Sequence, residues 1–430
     1  MTPAAVLQFG EIPFTMRTHH ALPAGWSRKA DASMKDRYPR IVLKKGRDMA
    51  LRRGHPWLFS GAVSASEGHP GPGDIVEVLS ATGASLALGF YNPRTDIVFR
   101  RLTGHTGETI DRSFWERRIR SALALRGRIL SADTTACRLM NAEGDAMPGL
   151  VVDRYGEFLV MTVATAGFER IKTEIAEILD GELKPRGIYE RSGGRARRRE
   201  GLKDHAGILS GERAPTPVEI RESGLVFDVD IAGGQKTGFF LDQRENRRLL
   251  STLCRDARVL NCFAYTGAFS VYAASGGAAR VVSVEVSEAA NNRLARVNLS
   301  KNGRDVGTHP VITADVFDFL RETNDVFDTV ILDPPAFAKE KKDLATAARG
   351  YREINLQAAR HLVDGGLLAT FSCSHHIGED LFAGMVLRAV RDAGKRARVL
   401  RRMGAGPDHP VDLGHPEGGY LKGLLLSVDS

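Results

Sequence analysis

Thr329-Val-Ile-Leu-Asp-Pro-Pro-Ala-Phe-Ala-Lys339 decides the reading of this chain, and Leu367-Leu-Ala-Thr-Phe-Ser-Cys-Ser-His375 answers it further on. Each is a short apolar run that stops at residues able to do chemistry. A buried parallel strand has this pattern, and in open α/β sheets ligands sit just outside the carboxyl ends of the strands. Asp333 and Cys373 are therefore predicted at one sheet edge, as a carboxylate and a thiol. A deprotonated thiol is a strong nucleophile, so the pair points to covalent chemistry on an electrophilic ring.

Outward from these runs, the chain from Val226 repeats strand, turn and helix. Val259-Leu260 enters Asn261-Cys-Phe-Ala-Tyr-Thr-Gly-Ala-Phe-Ser270, which feeds a helix over Ala268–Ser275. Val281-Val-Ser-Val-Glu285 follows, with a helix over Glu288–Asn302. Val311-Ile-Thr313 leads to Asp315, Phe327–Leu332 to Asp333, and Gly366–Phe371 to Ser372. This grammar predicts an α/β fold with a doubly wound, Rossmann-like parallel sheet.

Dinucleotide-binding proteins place Gly-x-Gly-x-x-Gly after the first strand, so that pyrophosphate reaches a helix N-terminus. Here that turn carries Gly267 alone, which fits S-adenosylmethionine, a cofactor without pyrophosphate. Glu285 ends the next strand 18 residues later, the place for an acid that accepts both ribose hydroxyls. Asp315 is placed to accept the exocyclic amine of adenine. Gly233-Gly-Gln-Lys-Thr-Gly-Phe-Phe-Leu-Asp-Gln-Arg-Glu-Asn246 looks like a phosphate loop but lacks the required spacing and a strand-fed helix. It is predicted instead to lie over the cofactor, with Lys236, Thr237 and Gln243 facing it.

At 430 residues the chain predicts about two or three domains. With 43% hydrophobic and 26% charged residues it reads as a soluble globular protein, and no apolar run approaches a membrane span. No charged start leads into an apolar segment, so the expected location is cytoplasmic, with no membrane partner. Cys137, Cys254, Cys262 and Cys373 form no C-x-x-C pair, which argues against a disulfide framework or zinc ribbon and predicts reduced thiols. His375 and His376 lack metal-ligand spacing, and no metal is expected. The net charge of +8 is clustered. Lys35–Arg53 holds eight Lys/Arg against two acids, Arg191–Arg213 seven against three, and Lys395–Arg402 five against none. One such run is usually a solvated face, whereas three predict a surface that meets RNA or DNA.

Residues 1–38 show no periodicity and are broken by Pro3, Pro13 and Pro23. They read as a disordered extension, with Met16 and Met34 as further candidate starts. From Arg40, short β-like pieces at Ile41–Leu43, Trp57–Ser60, Asp74–Leu79, Ser85–Tyr91 and Ile97–Leu102 predict a small barrel or sandwich over 39–108. Residues 109–225 read as a central α+β unit, with helices over Ser113–Leu130 and Ala166–Leu179 and strands at Gly149–Asp153, Phe158–Val163 and Gly187–Glu190. Arg191–Arg199, with Ala196 as its one apolar side chain, is expected to be an exposed loop. The last unit spans 226–430.

Lys44-Lys-Gly-Arg, continued by Arg53-Gly-His-Pro-Trp-Leu-Phe-Ser-Gly61, resembles the start of a PUA domain, a small β-barrel fused to RNA-modifying enzymes. The alternative is a plain barrel with Trp57 and Phe59 in its core. Gly-Gln-Lys-Thr-Gly-Phe-Phe-Leu-Asp-Gln-Arg over 234–244, Leu-Asn-Cys-Phe-Ala-Tyr-Thr-Gly-Ala-Phe-Ser over 260–270, Leu-Asp-Pro-Pro-Ala-Phe over 332–337 and Phe-Ser-Cys-Ser-His-His over 371–376 together resemble the bacterial RlmI-type ribosomal RNA large-subunit methyltransferases. With Asp408-His-Pro410 and Tyr420-Leu-Lys-Gly423, the resemblance covers residues 39–430.

Members join a PUA domain, a central α+β domain and a class I methyltransferase domain, and methylate cytosine C5 in 23S ribosomal RNA. The resemblance thus implies S-adenosylmethionine as cofactor and ribosomal RNA as partner; a homodimer is compatible with it. Carried onto this chain, it implies Cys373 and Asp333 as catalytic residues. Gln235, Lys236, Thr237, Gln243, Asn261, Phe263, Thr266, Gly267, Glu285, Asp315 and Asp333 would meet the cofactor. Pro334, Pro335, Phe337, Lys44, Arg53 and Arg197 would meet the RNA. Cytosine C5 is a poor nucleophile, and a thiolate added at C6 makes it an enamine-like carbon able to attack a sulfonium methyl. The basic surroundings of an RNA site favour that thiolate. The bland reading of Cys373 is a buried apolar thiol at a strand end.

In one respect the chain departs from the pattern. Other RNA cytosine-C5 enzymes carry a cysteine directly after the Asp-Pro pair, where this chain has Pro335 and Ala336. No second thiol assists release there, and His375 and His376 either carry protons or cap the next helix. Two other readings stay open. One is exocyclic-amine methylation, as in related guanine-N2 enzymes, which needs no nucleophile and so is separated by Cys373. The other is a non-catalytic RNA-binding or ribosome-assembly protein that retains the cofactor fold.

Overall fold

Three large sheets, with a two-stranded hairpin before the last, follow one another along the chain in the computed structural model, which describes residues 37–287, 293–338 and 340–430. The extension expected over 1–38 lies almost wholly outside the described residues, as does the start of the helix expected over 288–302. The first sheet contains β1 (Arg40–Leu43), β2 (Trp57–Phe59), β3 (Val63–Glu67), β4 (Asp74–Leu79), β5 (Ser85–Tyr91) and β6 (Ile97–Thr103) in the order β2-β6-β5-β4-β1-β3, with a one-turn helix α1 (Met49–Arg52) between β1 and β2. Val76 and Val78, two apart on β4, are both fully buried, as the period of a strand with one face on a core requires. Phe59 is exposed, and Trp57 is half-buried with its Nε1 donating to Glu143 at 2.8 Å, so neither is a plain core residue.

The second sheet, ordered β11-β10-β9-β8-β7, is built from β7 (Ala136–Asn141), β8 (Leu150–Tyr155), β9 (Phe158–Val163), β10 (Gly187–Ser192) and β11 (His205–Gly211). Helices α2 (Arg112–Ile129) and α3 (Ala166–Leu183) share its core through Phe114, Ile119, Phe168 and Leu179. Asp111 caps α2 by accepting from the Phe114 amide, which satisfies one of the donors left over at a helix start. The stretch 191–199 corrects the exposed-loop expectation: β10 runs to Ser192, and Arg195–Arg199 forms a short helix, α4. Arg197, expected to meet RNA, is only 2% exposed. Its guanidinium donates to the carbonyls of Val163 and Lys203 and to Glu169. An arginine can occupy a core position once its donors are matched in this way.

A hairpin of β12 (Val218–Glu222) and β13 (Leu225–Val229) precedes the third sheet. That sheet holds β14 (Arg258–Cys262), β15 (Arg280–Glu285), β16 (Val311–Thr313), β17 (Phe327–Leu332), β18 (Leu362–Ser372), β19 (Arg396–Met403) and β20 (Lys422–Asp429). Helices α5 (Arg244–Ser251), α6 (Ala268–Ser275), α7 (Arg293–Lys301), α8 (Val316–Glu322), α9 (Leu344–Arg360) and α10 (Glu379–Asp392) belong to it. The order is β16-β15-β14-β17-β18-β20-β19, with β20 antiparallel to both of its neighbours and the other pairs parallel. Val259, Leu260, Val330, Ile331 and Leu332 are fully buried, as strands covered by helices on both faces must be. The chain winds outward from β14 to β16 and then returns to β17. This reversal opens a crevice between β14 and β17, where ligands bind in such sheets.

Candidate active site

The carboxyl ends of β14, β15, β17 and β18, with the loop ahead of α5, enclose a cavity of about 330 Å³. It is lined by Gln235, Lys236, Gln243, Phe263, Thr266, Glu285, Asp315, Asp333, Pro334, Pro335, Phe337 and Cys373. Residues scattered over 139 positions of sequence are thus brought to one site of ligand-binding size.

Three non-glycine residues at this cavity hold left-handed backbones: Lys236 (φ 51°), Phe263 (φ 58°) and Tyr265 (φ 49°). Such conformations persist where surrounding bonds impose them, commonly at functional sites. Tyr265 supplies several of those bonds. Its amide donates to Glu285 Oε2 at 2.9 Å, and its hydroxyl accepts from the Gln235 amide at 2.8 Å and donates to the Gly238 carbonyl at 3.0 Å. Arg191, on β10, donates to the carbonyls of Ile231 and Gly234, so the second sheet also holds this loop. Glu285 further accepts from Ser287, and Asp315 caps α8 through Oδ1, which fixes both acids at the strand ends.

Three residues expected at the cofactor, Gly267, Asn261 and Thr237, are not among those that line this cavity. Gly267 has φ 76°, and a Cβ there would lie 2.9 Å from that of Ala295, so the glycine admits the close approach of α7. Asn261 is buried beneath the cavity, donating to Ser270 Oγ at 2.8 Å. Thr237 turns away and donates to Asp153 Oδ2 at 2.6 Å, tying the loop to β8. Lys44 and Arg53 are exposed on the first sheet.

Asp333 accepts from Gln243 Nε2 at 3.0 Å. It retains a view of the open cavity, yet protein surrounds it. Burial, then the negative charge of Asp242, push its carboxyl from the ordinary 3.8 up to about 7, against the pull of Lys236. Cys373 is half-buried, with Sγ 4.0 Å from the Pro334 carbonyl. Ser372 and Ser374 on either side are fully buried and bond the Tyr351 hydroxyl of α9, and Lys422 Nζ donates to the Ser374 carbonyl at 2.8 Å. The alternation of this Ser-Cys-Ser run thus gives the serines to the protein and Cys373 to the cavity.

Burial and the neighbouring Asp333 raise the Cys373 thiol, with Lys236 opposing them. This corrects the expectation that basic surroundings stabilise a thiolate in the free protein. The other three cysteines are buried. His375 and His376 lie in an exposed turn, and Gly378 occupies the N-cap of α10, which removes the capping role. His375 lines a second, more open groove of about 800 Å³, along with Arg191, His205, Tyr420 and Lys236. Lys236 borders both spaces. Among the described residues, no helix is long and apolar enough to cross a membrane, and no cluster of His, Cys, Asp and Glu is placed to hold a metal.

Sequence reasoning passed over Asp242, Tyr351, Tyr420 and Lys422. Asp242, Tyr420 and Lys422 sit inside the motifs at 234–244 and 420–423, which carry the resemblance without assigning these three residues a role.

With acids fixed after β15 and β16, a strained turn after β14 and the buried Thr266 Oγ1, without a partner among the described residues, in its walls, the cavity fits a nucleoside cofactor without pyrophosphate. The fold and this site define an S-adenosylmethionine-dependent methyltransferase. A family model of that description matches residues 196–426, and one for a PUA-like domain matches 41–104. Ribosomal RNA large subunit methyltransferase I of Photobacterium profundum is 44% identical over 393 residues, covering 90% of this chain and 99% of that protein. The protein of the same name from Aeromonas salmonicida is 42% identical over 390 residues, covering 90% and 98%. The chain belongs to this ribosomal RNA large subunit methyltransferase I family. A solved structure from Streptococcus mutans, described as a SAM-dependent methyltransferase, covers 90% of this chain and 99% of its own with a TM-score of 0.77; at 24% identity it speaks for the fold.

Proposed function

We propose that the protein methylates C5 of a cytosine in 23S ribosomal RNA through a covalent bond between Cys373 and C6. The observation that carries this reading is that Cys373, the one cysteine not buried among the described residues, opens into the cavity shared by Asp333 and Glu285. The names of the relatives support ribosomal RNA as substrate. The PUA-like domain, with Lys44 and Arg53 exposed on it, supports an RNA-facing surface.

When bound, the cofactor supplies an electrophilic sulfonium methyl. Cys373 adds to C6 of a base flipped into the cavity. Its proton passes by way of Asp333 to ring N3, and C5 thereby becomes nucleophilic. Once Asp333 is ionised again, it accepts the C5 proton, directly or through water; the C6–S bond breaks as the C5–C6 double bond re-forms, and the N3 proton returns to the departing thiolate. A carboxyl poised at about 7 can both take and give a proton near neutral pH, which is what this double duty requires. Pro334 and Phe337 wall the space above Asp333. Bisulfite or mass-spectrometric mapping of ribosomal RNA from cells with and without the protein tests the reading: a single cytosine that loses its C5 methyl supports it, and a lost exocyclic methyl on guanine overturns it.

A further inference from the structure

Asp242 lies in the short turn Leu241–Gln243 ahead of α5, is 2% exposed and lines the cavity. Its Oδ2 accepts from Lys236 Nζ at 2.7 Å and from the Tyr420 hydroxyl at 2.6 Å, two bonds that fix the carboxylate. Its Oδ1 is buried without a hydrogen-bond partner among the described residues. A buried carboxylate oxygen left without a donor is costly, and a ligand that brings one relieves that cost.

The cofactor carries three donor groups: the adenine amine, the ribose diol and the α-ammonium. Asp315 and Glu285, after β16 and β15, stand where the first two are met. Asp242 stands toward β17 instead, since Gln243 beside it bonds Asp333. The cavity walls are also acidic on balance: beyond the Asp242–Lys236 pair they carry Glu285 and Asp315, with Asp333 partly ionised near neutral pH, while Arg247 is already paired with Glu222. Such walls favour a cationic ligand group over a neutral amine.

We propose that Oδ1 of Asp242 receives the α-ammonium group of S-adenosylmethionine. This goes beyond the reading of the reaction as cytosine methylation and rests only on the cofactor.

Calorimetric binding without RNA tests it. Wild-type protein is titrated with S-adenosylhomocysteine, its desamino analogue and 5′-methylthioadenosine, and Asp242→Asn with the first and third. Loss of the amine, or of the Asp242 charge, is expected to weaken binding by roughly 10- to 100-fold, with methylthioadenosine binding unchanged between the two proteins. Equal affinity of the wild type for S-adenosylhomocysteine and its desamino analogue overturns the proposal, and that comparison stands even if the variant fails to fold. Unchanged S-adenosylhomocysteine binding by Asp242→Asn, with a raised KM for RNA, overturns it as well and transfers Oδ1 to the amine of the target base. Because no RNA enters the titrations, failure of the cytosine reading leaves this result intact.

Discussion

The Gln243 side chain donates its Nε2 to Oδ1 of Asp333 across 3.0 Å, joining the start of α5 to the end of β17. This bond favours the ionised carboxylate. Gln243→Ala should therefore move the Asp333 titration to higher pH. In single-turnover methyl transfer, the wild-type rate is expected to rise with pH to a plateau above an inflection near 7, with the variant's inflection displaced upward. Superimposable profiles for the two proteins would remove Asp333 from proton handling.

The same carboxyl affects stability. Its folded-state value, about 7, lies above the ordinary 3.8. The stability it contributes is therefore fully present below about pH 4 and is lost as the pH rises through 7. Asp333→Asn carries no such titration. Its Tm should exceed that of the wild type by an amount that grows from about pH 4 to 7 and then levels, while methyl transfer is lost. Thermal unfolding across this range gives the comparison.

Cys373→Ala should abolish methyl transfer, by roughly a thousandfold or more, while leaving S-adenosylhomocysteine binding within about twofold. Trapping with a 5-fluorocytosine-containing RNA reports the covalent bond directly. A stable adduct should form with the wild type and be absent with the alanine variant. Full activity in that variant would return the reaction to exocyclic-amine methylation.

Asp408, buried, meets Arg244 through both oxygens at 2.8 and 3.1 Å, while its own carbonyl accepts from Arg126 of α2. Burial works against its ionisation, but His409 and Arg244 hold the carboxyl well below the usual carboxylate range. Its contribution to stability is thus present above about pH 4 and lost as acid protonates the folded state. Asp408→Ala takes from buried Arg244 the carboxylate that meets it through two oxygens and leaves only the more exposed Glu245 at 3.3 Å, which costs about 3–5 kcal/mol and should appear as a lower urea midpoint.

Arginine position separates fold from interface. Arg197→Ala should lower Tm, since it strips a buried cation from Glu169 and two carbonyls. Lys44→Ala and Arg53→Ala, on an exposed surface, should leave Tm unchanged, weaken RNA binding and reduce its salt dependence. The opposite pattern would move the RNA surface away from the first sheet.

Sequence alone determined the alternation of strand and helix through β14, β15, β16, β17 and β18, the acids at the ends of three of these strands and the turn with one glycine, whereas β19 and the antiparallel β20 appeared only in the structure. Each is local: an apolar run, a period and a stop. It also placed Asp333 and Cys373 at one edge, because parallel strands of a single sheet end on the same side. The tertiary structure decided what no spacing encodes. Asp242, Lys236 and Tyr420 meet from positions up to 184 residues apart, and their charges and bonds, with burial, set the behaviour of Asp333 and Cys373. Arg197 likewise reads as a solvated cation until its partners on β9 and α3 close around it. The strength of a charge and the reactivity of a thiol depend on what surrounds them in space, and sequence spacing does not carry that information.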